Sequence, residues 1–335
     1  MRAFHLMGPL LESLIRVDIP TPALKPDEVL LRMHAASLNY LDLLVAYGRQ
    51  GHGVYPLVAG TDGAGEIAAV GSLVQDWGVG DRVVPGNMVD WHAGPPTAQR
   101  FNRLRGVSMD GSLADYAAVP AAALVKIPDA MSYLEAATLP IAATTAWNAI
   151  VRARIRPGST VVLLGTGGVS LFALQFAKAA GARVIITSSS DEKLEKVRAL
   201  GADEIINYRT TPAWDDAVLT LTDGHGADLL IETIGASTFP RSLNAAAING
   251  TIFVVGFIGG TALAIPVMPI IAKSIAIVGN ATGSTANLAD TVRAVAAAHI
   301  KPVIDTIFGF EQAPDAYRYL ESAGHVGKIA ITFGN

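Results

Sequence analysis

Val161-Val-Leu-Leu-Gly-Thr-Gly-Gly-Val-Ser170 runs directly into Leu171-Phe-Ala-Leu-Gln-Phe-Ala-Lys178, and this stretch decides the fold. A four-residue apolar run meets a glycine-rich turn, and the turn meets a strongly apolar helical pattern. A first strand hands over to a first helix in this way in a dinucleotide-binding unit. Gly165 permits the tight turn, and Gly167 lets the backbone approach a pyrophosphate. The N–H groups and positive dipole end of the next helix can then hold that anion. Ser170 stands where the last glycine of G-x-G-x-x-G belongs, and serine is still small enough for a helix to pack closely on a strand. Ordinary βα units also carry such turns, so the reading depends on the residues beyond Lys178.

Those residues form a series of short apolar, β-rich runs with helical patterns between most of them. After Val161–Leu164 come Val184-Ile-Ile-Thr187, Glu204-Ile-Ile206, Asp228-Leu-Leu-Ile231, Thr251-Ile-Phe-Val-Val255 and Ser274-Ile-Ala-Ile-Val278. Six such strands alternating with helices predict an α/β fold with a doubly wound, six-stranded parallel Rossmann sheet buried on both faces. That domain is expected over residues 124–299. Residues 1–123 differ: short β-type runs such as Glu28–Met33 and Gly65–Val70 lie between glycine and proline turns, which predicts a mostly-β domain. Trp91 to Gly111 has no clear periodicity and reads as a loop of about twenty residues, a length often tied to function. Ser132-Tyr-Leu-Glu135 reads as a capping box, and Leu139-Pro140 as the start of a helix running through Trp147. Residues 303–309, 311–323 and 326–332 read as strand, helix and strand. They are expected to complete the N-terminal domain as its 300–335 segment.

Composition narrows the chemistry. The 335 residues are 51% hydrophobic and 16% charged, with a net charge of −4 and no dense basic run. Nucleic acid and anionic membrane are therefore not expected as partners. The N-terminus lacks the apolar segment of a secretory signal, and prolines interrupt the stretch from Ala262 to Val278, so a cytoplasmic protein is expected. Cysteine is absent, which rules out disulfides, a catalytic thiolate and cysteine-ligated zinc. The seven histidines are scattered, with no pair at helical ligand spacing.

The order of motifs resembles the medium-chain dehydrogenase/reductase superfamily over nearly the whole chain. The marks are Gly60-Thr-Asp-Gly-Ala-Gly-Glu-Ile67, Val79-Gly-Asp-Arg-Val83, Ala136-Ala-Thr-Leu-Pro-Ile-Ala-Ala-Thr-Thr-Ala-Trp147, Pro157-Gly-Ser-Thr-Val161 and Leu200-Gly-Ala-Asp-Glu-Ile-Ile-Asn-Tyr-Arg209. The resemblance implies a GroES-like, mostly-β catalytic domain, an inserted nucleotide domain and a cleft between them. Ser37-Leu-Asn-Tyr-Leu-Asp42 is most similar to the zinc-free quinone oxidoreductase-like branch. Zinc-dependent members carry a cysteine where Asn39 stands, a His-Glu pair where Thr61-Asp62 stands, and a cysteine or aspartate near Ile141-Ala142. No metal is therefore expected, and Asp62 reads as a turn carboxylate bonding backbone N–H groups.

Without a metal, charge developing on a substrate oxygen must be met by hydrogen bonds. One preorganised donor is worth about 3–4 kcal/mol, whereas a metal also acidifies a bound alcohol. Quinones and enones need less help, because added hydride yields a delocalised phenolate or enolate. The expected reaction is therefore reduction of a conjugated carbonyl acceptor by a nicotinamide, NADP(H) favoured over NAD(H). Asn39, Tyr40 and Asp42 are the catalytic candidates. Asn39 and Tyr40 offer hydrogen bonds to substrate or ribose, and Asp42 orients its neighbours. The alternative for this stretch is a helix start, with Asn39 capping and Tyr40 packed. Relatives in the branch place tyrosines slightly downstream, where Leu44 and Gln50 stand here, leaving Tyr47, His52 and Tyr55 as substitutes.

For the cofactor the resemblance implies Thr145 near the nicotinamide; Gly165, Gly167, Gly168 and Val169 at the pyrophosphate; and Gly235, Phe257 and Ile258 at later loops. The second strand ends in Thr187-Ser-Ser-Ser190, where NAD-preferring proteins commonly place an acid. Ser188, Ser189 and Lys193 instead suit a 2′-phosphate, the resemblance implies Tyr208 against the same phosphate, and Asp191 is expected as the cap of the next helix. The alternative gives Asp191 to the ribose. A homodimer is implied, paired through the Ser274–Val278 strand. Two other readings stay open: a zinc-free alcohol dehydrogenase or carbonyl reductase, and a nucleotide-binding protein without catalysis.

Overall fold

The computed structural model describes residues 1–50 and 54–334. The chain divides into two units, residues 145–282 and residues 1–144 joined by 283–335.

In residues 145–282 six parallel strands lie in the order Glu204–Asn207, Arg183–Ser188, Thr160–Leu164, Ala227–Glu232, Ala246–Val254, Ala276–Gly279. The first strand of the unit, Thr160–Leu164, is central and buried at every position. It can be apolar throughout because helices cover both faces of a parallel sheet. Val162, Leu164, Ile185, Leu230 and Ile252 from the strands meet Trp214, Phe239 and Leu243 from the helices in one core. Strand order reverses beside Thr160–Leu164, and in such sheets ligands bind beyond the strand ends at that reversal. The last strand begins later than its apolar run suggests. Ser274 ends the helix Val267–Lys273 in a left-handed conformation (φ 50°), so pairing starts at Ala276.

The other unit is built on the strand Glu28–Leu38, which pairs antiparallel with Asp62–Val70, Tyr116–Pro120 and Lys328–Thr332. The seven-stranded sheet runs from Ile304–Gly309 through these to Arg82–Pro85 and Leu124–Lys126. The C-terminal segment thus returns as strand, helix (Ala313–Glu321) and strand, with Ile329 opposite Leu38. Phe4, Leu31, Met33, Ile67, Leu113, Phe310 and Ile329 share its core. Its boundaries differ from the expected 123 and 300. Leu124–Lys126 satisfies its backbone by pairing with Arg82–Pro85. The helix Thr285–Ala297 is tied in where the N–H groups of Thr285 and Ala286 donate to the carbonyls of Trp91 and His92. Residues 124–144 and 283–299 therefore belong here.

The Trp91–Gly111 loop is held by isolated backbone bridges and by side-chain contacts. The Arg103 guanidinium meets Asp90 at 2.5–3.1 Å, and the Trp91 and Phe101 rings pack edge to face at 5.4 Å. Ser132 and Glu135 form the reciprocal cap read from the sequence. The Leu139 segment is a π-turn over Leu139–Ala143 that precedes the helix Thr144–Arg152. Among the described residues no helix is long and apolar enough to cross a membrane.

Candidate active site

Where the strand Glu28–Leu38 gives way to the helix Tyr40–Ala46, polar side chains gather inside the first unit. Asn39 takes the N-cap position with extended backbone. Asp42, one turn in, accepts the Asn39 N–H at 2.7 Å, the Thr61 N–H at 2.8 Å and the Thr61 hydroxyl at 3.1 Å. It thereby joins the helix start to the segment before the strand Asp62–Val70. The Asn39 amide faces elsewhere. Its Nδ2 donates to Thr61 Oγ1 at 3.1 Å and to Asp62 Oδ2 at 2.9 Å, which uses both of its hydrogens. Its Oδ1 accepts from Lys328 Nζ at 2.6 Å, and Lys328 also donates to the Leu38 carbonyl at 2.6 Å.

All of these groups are buried, and burial dominates their titration. The Asp62 carboxyl is pushed up to about 7 by burial, against the pull of Lys328, the Asn39 amide and the Ile141 N–H. The Asp42 carboxyl rises to about 6, less far because two backbone N–H groups stabilise its charge. Burial lowers the Lys328 ammonium, and Asp62 and Asp42 oppose that shift. Asp62 is thus no turn carboxylate. It opens a strand, and although it takes one backbone N–H, from Ile141 at 3.2 Å, its other partners are Asn39 and the Lys328 charge. Its Oδ1 has no hydrogen-bond partner among the described residues.

Tyr40 is 45% exposed on the first turn of its helix, so it is not packed. The downstream tyrosines are committed: Tyr47 donates to Glu321 at 2.6 Å and Tyr55 to the Val45 carbonyl at 2.7 Å. His52 lies outside the described residues. Two buried cations escaped the sequence reading. Lys328 opens a short C-terminal strand, where lysine is ordinarily solvated, and only its place beside Leu38 reveals its role. Arg105 is fully buried in the long loop, donating to the Gly111 carbonyl at 3.2 Å and Ser112 Oγ at 3.0 Å. Burial brings it down to about 10 despite Asp110 and Asp62 nearby.

In residues 145–282 the candidate cofactor residues mostly gather at the strand ends. Gly165 has φ +77°, and a Cβ on Gly165 or Gly167 would meet nothing within 4 Å, so the turn leaves space above it. Gly167 caps the twelve-residue helix Gly168–Ala179, whose first turn, including Gly168 and Val169, has N–H groups without intrahelical acceptors. A helix start of this kind has the free N–H groups that can hold a pyrophosphate. Ser170 Oγ donates to the Leu164 carbonyl at 3.0 Å, which is why serine serves at the glycine position. Ser188 ends the second strand and Ser189 comes directly after it. The next helix is capped by Ser190, not by Asp191. Ser190 has extended backbone and its hydroxyl accepts the Lys193 N–H, while Asp191 is the first helical residue and accepts from Asn207 Nδ2 at 2.7 Å. The Tyr208 N–H donates to the Ser188 carbonyl, and its ring is 44% exposed.

Gly235 has φ +100°, and a Cβ there would lie 2.7 Å from the Gly260 carbonyl oxygen and 2.9 Å from the Phe257 Cα. The fully buried Glu232 holds that turn, accepting the N–H groups of Ile234 and Gly235 and the hydroxyls of Thr238 and Ser242. Phe257 and Ile258 are exposed on the segment after the strand Ala246–Val254. Thr145 is buried in the helix Thr144–Arg152.

Residues 25–129 match the alcohol dehydrogenase GroES-like domain, and residues 168–298 match the zinc-binding dehydrogenase family model. A zinc-type alcohol dehydrogenase-like protein of Schizosaccharomyces pombe is 42% identical over 92% of this chain and 91% of its own. An acryloyl-coenzyme A reductase of Sulfurisphaera tokodaii is 29% identical over 99% of both chains. A crystal structure of a Sinorhizobium meliloti protein, described as a candidate alcohol dehydrogenase, has a TM-score of 0.93 at 37% identity, covering 99% of this chain and 98% of that one. The chain belongs to the medium-chain dehydrogenase/reductase superfamily of oxidoreductases, whose members bind a nicotinamide cofactor.

Proposed function

We propose that the protein is a zinc-independent, NADPH-dependent reductase that passes hydride to a conjugated carbonyl acceptor, a quinone or an enone. The observation that carries this reading is the ammonium of Lys328 bonded to Asn39, the residue standing where zinc-dependent relatives have a cysteine ligand. Asn39, Thr61 and Ala142 are poor ligands for zinc. A divalent ion at Asn39 would also face a buried cation, and charges repel strongly where water is excluded.

The bound nicotinamide supplies the hydride, and the chain's own groups meet the charge left on the acceptor oxygen. Asn39 spends both amide hydrogens on Thr61 and Asp62. The Tyr40 hydroxyl therefore serves as the donor, while Asn39 and Asp42 fix the turn that carries it. A phenolate or enolate spreads its charge and is served by one donor. The acryloyl-coenzyme A reductase relative fits an acceptor of this conjugated kind. Ser188, Ser189, Lys193 and Tyr208 support NADPH, since the nearby acid Asp191 is engaged by Asn207. We also propose a homodimer formed at the Ala276–Gly279 edge.

Cofactor oxidation by metal-depleted protein tests the reading, with phenanthrenequinone and simple enones as acceptors. Turnover of both, faster than oxidation of simple alcohols, is expected. Stoichiometric zinc in active protein, with activity lost on chelation, would overturn it. Tyr40→Phe should lower kcat by about 10²-fold with little change in KM, as expected for a contact strongest in the transition state.

A further inference from the structure

Lys328 is 3% exposed, and its Nζ lies 2.6 Å from both the Leu38 carbonyl and Asn39 Oδ1. Removing an ammonium from water costs several kcal/mol unless its partners compensate, and a methionine would fill the same space. The geometry shows what the charge does there. An ammonium has only donors, so it must meet the oxygen end of the Asn39 amide. The NH2 end is then turned toward Thr61 Oγ1 and Asp62 Oδ2, both of which accept from it. The amide has two orientations related by a flip, and the ammonium, which cannot accept a hydrogen bond, makes only the observed one favourable. Lys328 also ties the last carbonyl of one strand to the first capping residue of the next helix, directly before Tyr40.

We infer that Lys328 is a positioning residue: it fixes the orientation of Asn39 and thereby the helix turn that presents Tyr40. The inference rests on the proposed role of Tyr40 for its kinetic consequence, but the orientation of Asn39 is measurable without any acceptor. The charged and titratable groups facing the cluster are Asp42 on the same helix, Asp62 on the neighbouring strand, Arg105 from the long loop and Tyr317 from the C-terminal helix.

The test uses the full chain with Lys328→Met, which keeps length without charge, and Lys328→Arg, which keeps charge. In Lys328→Met, kcat with phenanthrenequinone should fall about tenfold or more while the KM for NADPH stays within about threefold, and Lys328→Arg should recover much of the loss. If the methionine variant fails to fold, Asn39→Leu breaks the same link from the other side and should show the same split. An unchanged kcat, or a parallel loss of NADPH affinity, overturns the inference. The side-chain amide resonances of Asn39 in the cofactor-free protein give a reading independent of turnover. They should be slow to exchange in the parent and in Lys328→Arg, and fast or doubled in Lys328→Met. Identical Asn39 resonances in the parent and Lys328→Met overturn the inference even if no acceptor is reduced. Loss of quinone and enone reduction in the parent protein, with the resonance pattern as expected, counts against the proposed function alone.

Discussion

At Asp62 the folded protein holds a proton that the unfolded chain releases. Its carboxyl moves from 3.8 to about 7 on folding, so between those values the folded state binds more protons. Stability from this group is fully present below pH 3.8 and is lost as the pH rises toward 7. Asp42, raised to about 6, acts in the same direction over the lower part of that window. Asp62→Asn retains acceptors for Asn39 and Ile141 but cannot ionise. Its melting temperature relative to the parent should therefore climb from about pH 4 to about pH 7 and then level off. A difference that stays flat across this range would show that Asp62 does not titrate there. Lys193→Ala addresses the cofactor. It should weaken NADPH binding about ten- to hundredfold and leave NADH nearly unchanged, because only NADPH presents a dianionic phosphate to an ammonium. Equal weakening of both, by titration of intrinsic fluorescence, would remove Lys193 from the 2′-phosphate site. Asn39, Tyr40 and Asp42 were legible as a polar group at a strand–helix junction. Lys328 and Arg105 were not, since lysine and arginine are read as solvated unless the fold supplies a buried partner; those of Lys328 lie far away in sequence, and those of Arg105 are close but lie in a stretch without a periodic pattern.

Among the elements, the glycine turn and its helix show how a departure from a motif is accommodated. The third glycine of the pattern permits close packing of helix on strand. Here Ser170 is buried and its hydroxyl donates to the Leu164 carbonyl at 3.0 Å, so the packing contact carries a hydrogen bond. Ser170→Gly, which restores the family residue, should destabilise the protein by about 1–2 kcal/mol, from the lost buried bond and the flexibility of glycine within a helix. NADPH affinity should stay within about twofold, because the anion-facing groups at Gly167 and Gly168 are untouched. A more stable glycine variant in denaturant unfolding would refute this account. All six parallel strands were legible as short apolar runs, most plainly the central Thr160–Leu164, which is buried at every position because both faces of the sheet are covered there. Helix caps were less so. Asp191 and Ser190 are both good caps by composition, and only the Ser190 hydroxyl accepting the Lys193 N–H decides between them. The Trp91–Gly111 loop carried no periodic signal, since its order comes from isolated backbone bridges and irregular side-chain contacts, among them the Arg103–Asp90 ion pair, the Trp91–Phe101 ring contact and the buried Arg105 guanidinium.

For the molecule as a whole, the domain order was legible and the seams were not. Residues 124–144 and 283–299 are satisfied by pairing and hydrogen bonds with residues distant in the chain, which local pattern cannot reveal. Assembly is also decided at this scale. The parallel sheet ends at Ala276–Gly279, a strand paired on one side only, with Ile277 40% exposed. The preceding helix exposes Val267, Met268 and Ile271 at 62%, 68% and 62%. An uncharged edge strand beside an apolar helix is a template for association, and proteins usually blunt such edges. Pairing two copies edge to edge satisfies both rows of backbone groups and covers both apolar faces in a closed two-fold arrangement. In the proposed dimer, Ile277→Lys would place a charge near its own copy across the two-fold axis, where like charges repel. Sedimentation should then show the parent as a dimer and the variant as a monomer, with NADPH affinity unchanged because the glycine turn lies on another strand. A parent that sediments as a monomer, or a lysine variant that remains dimeric, would place the interface elsewhere or remove it.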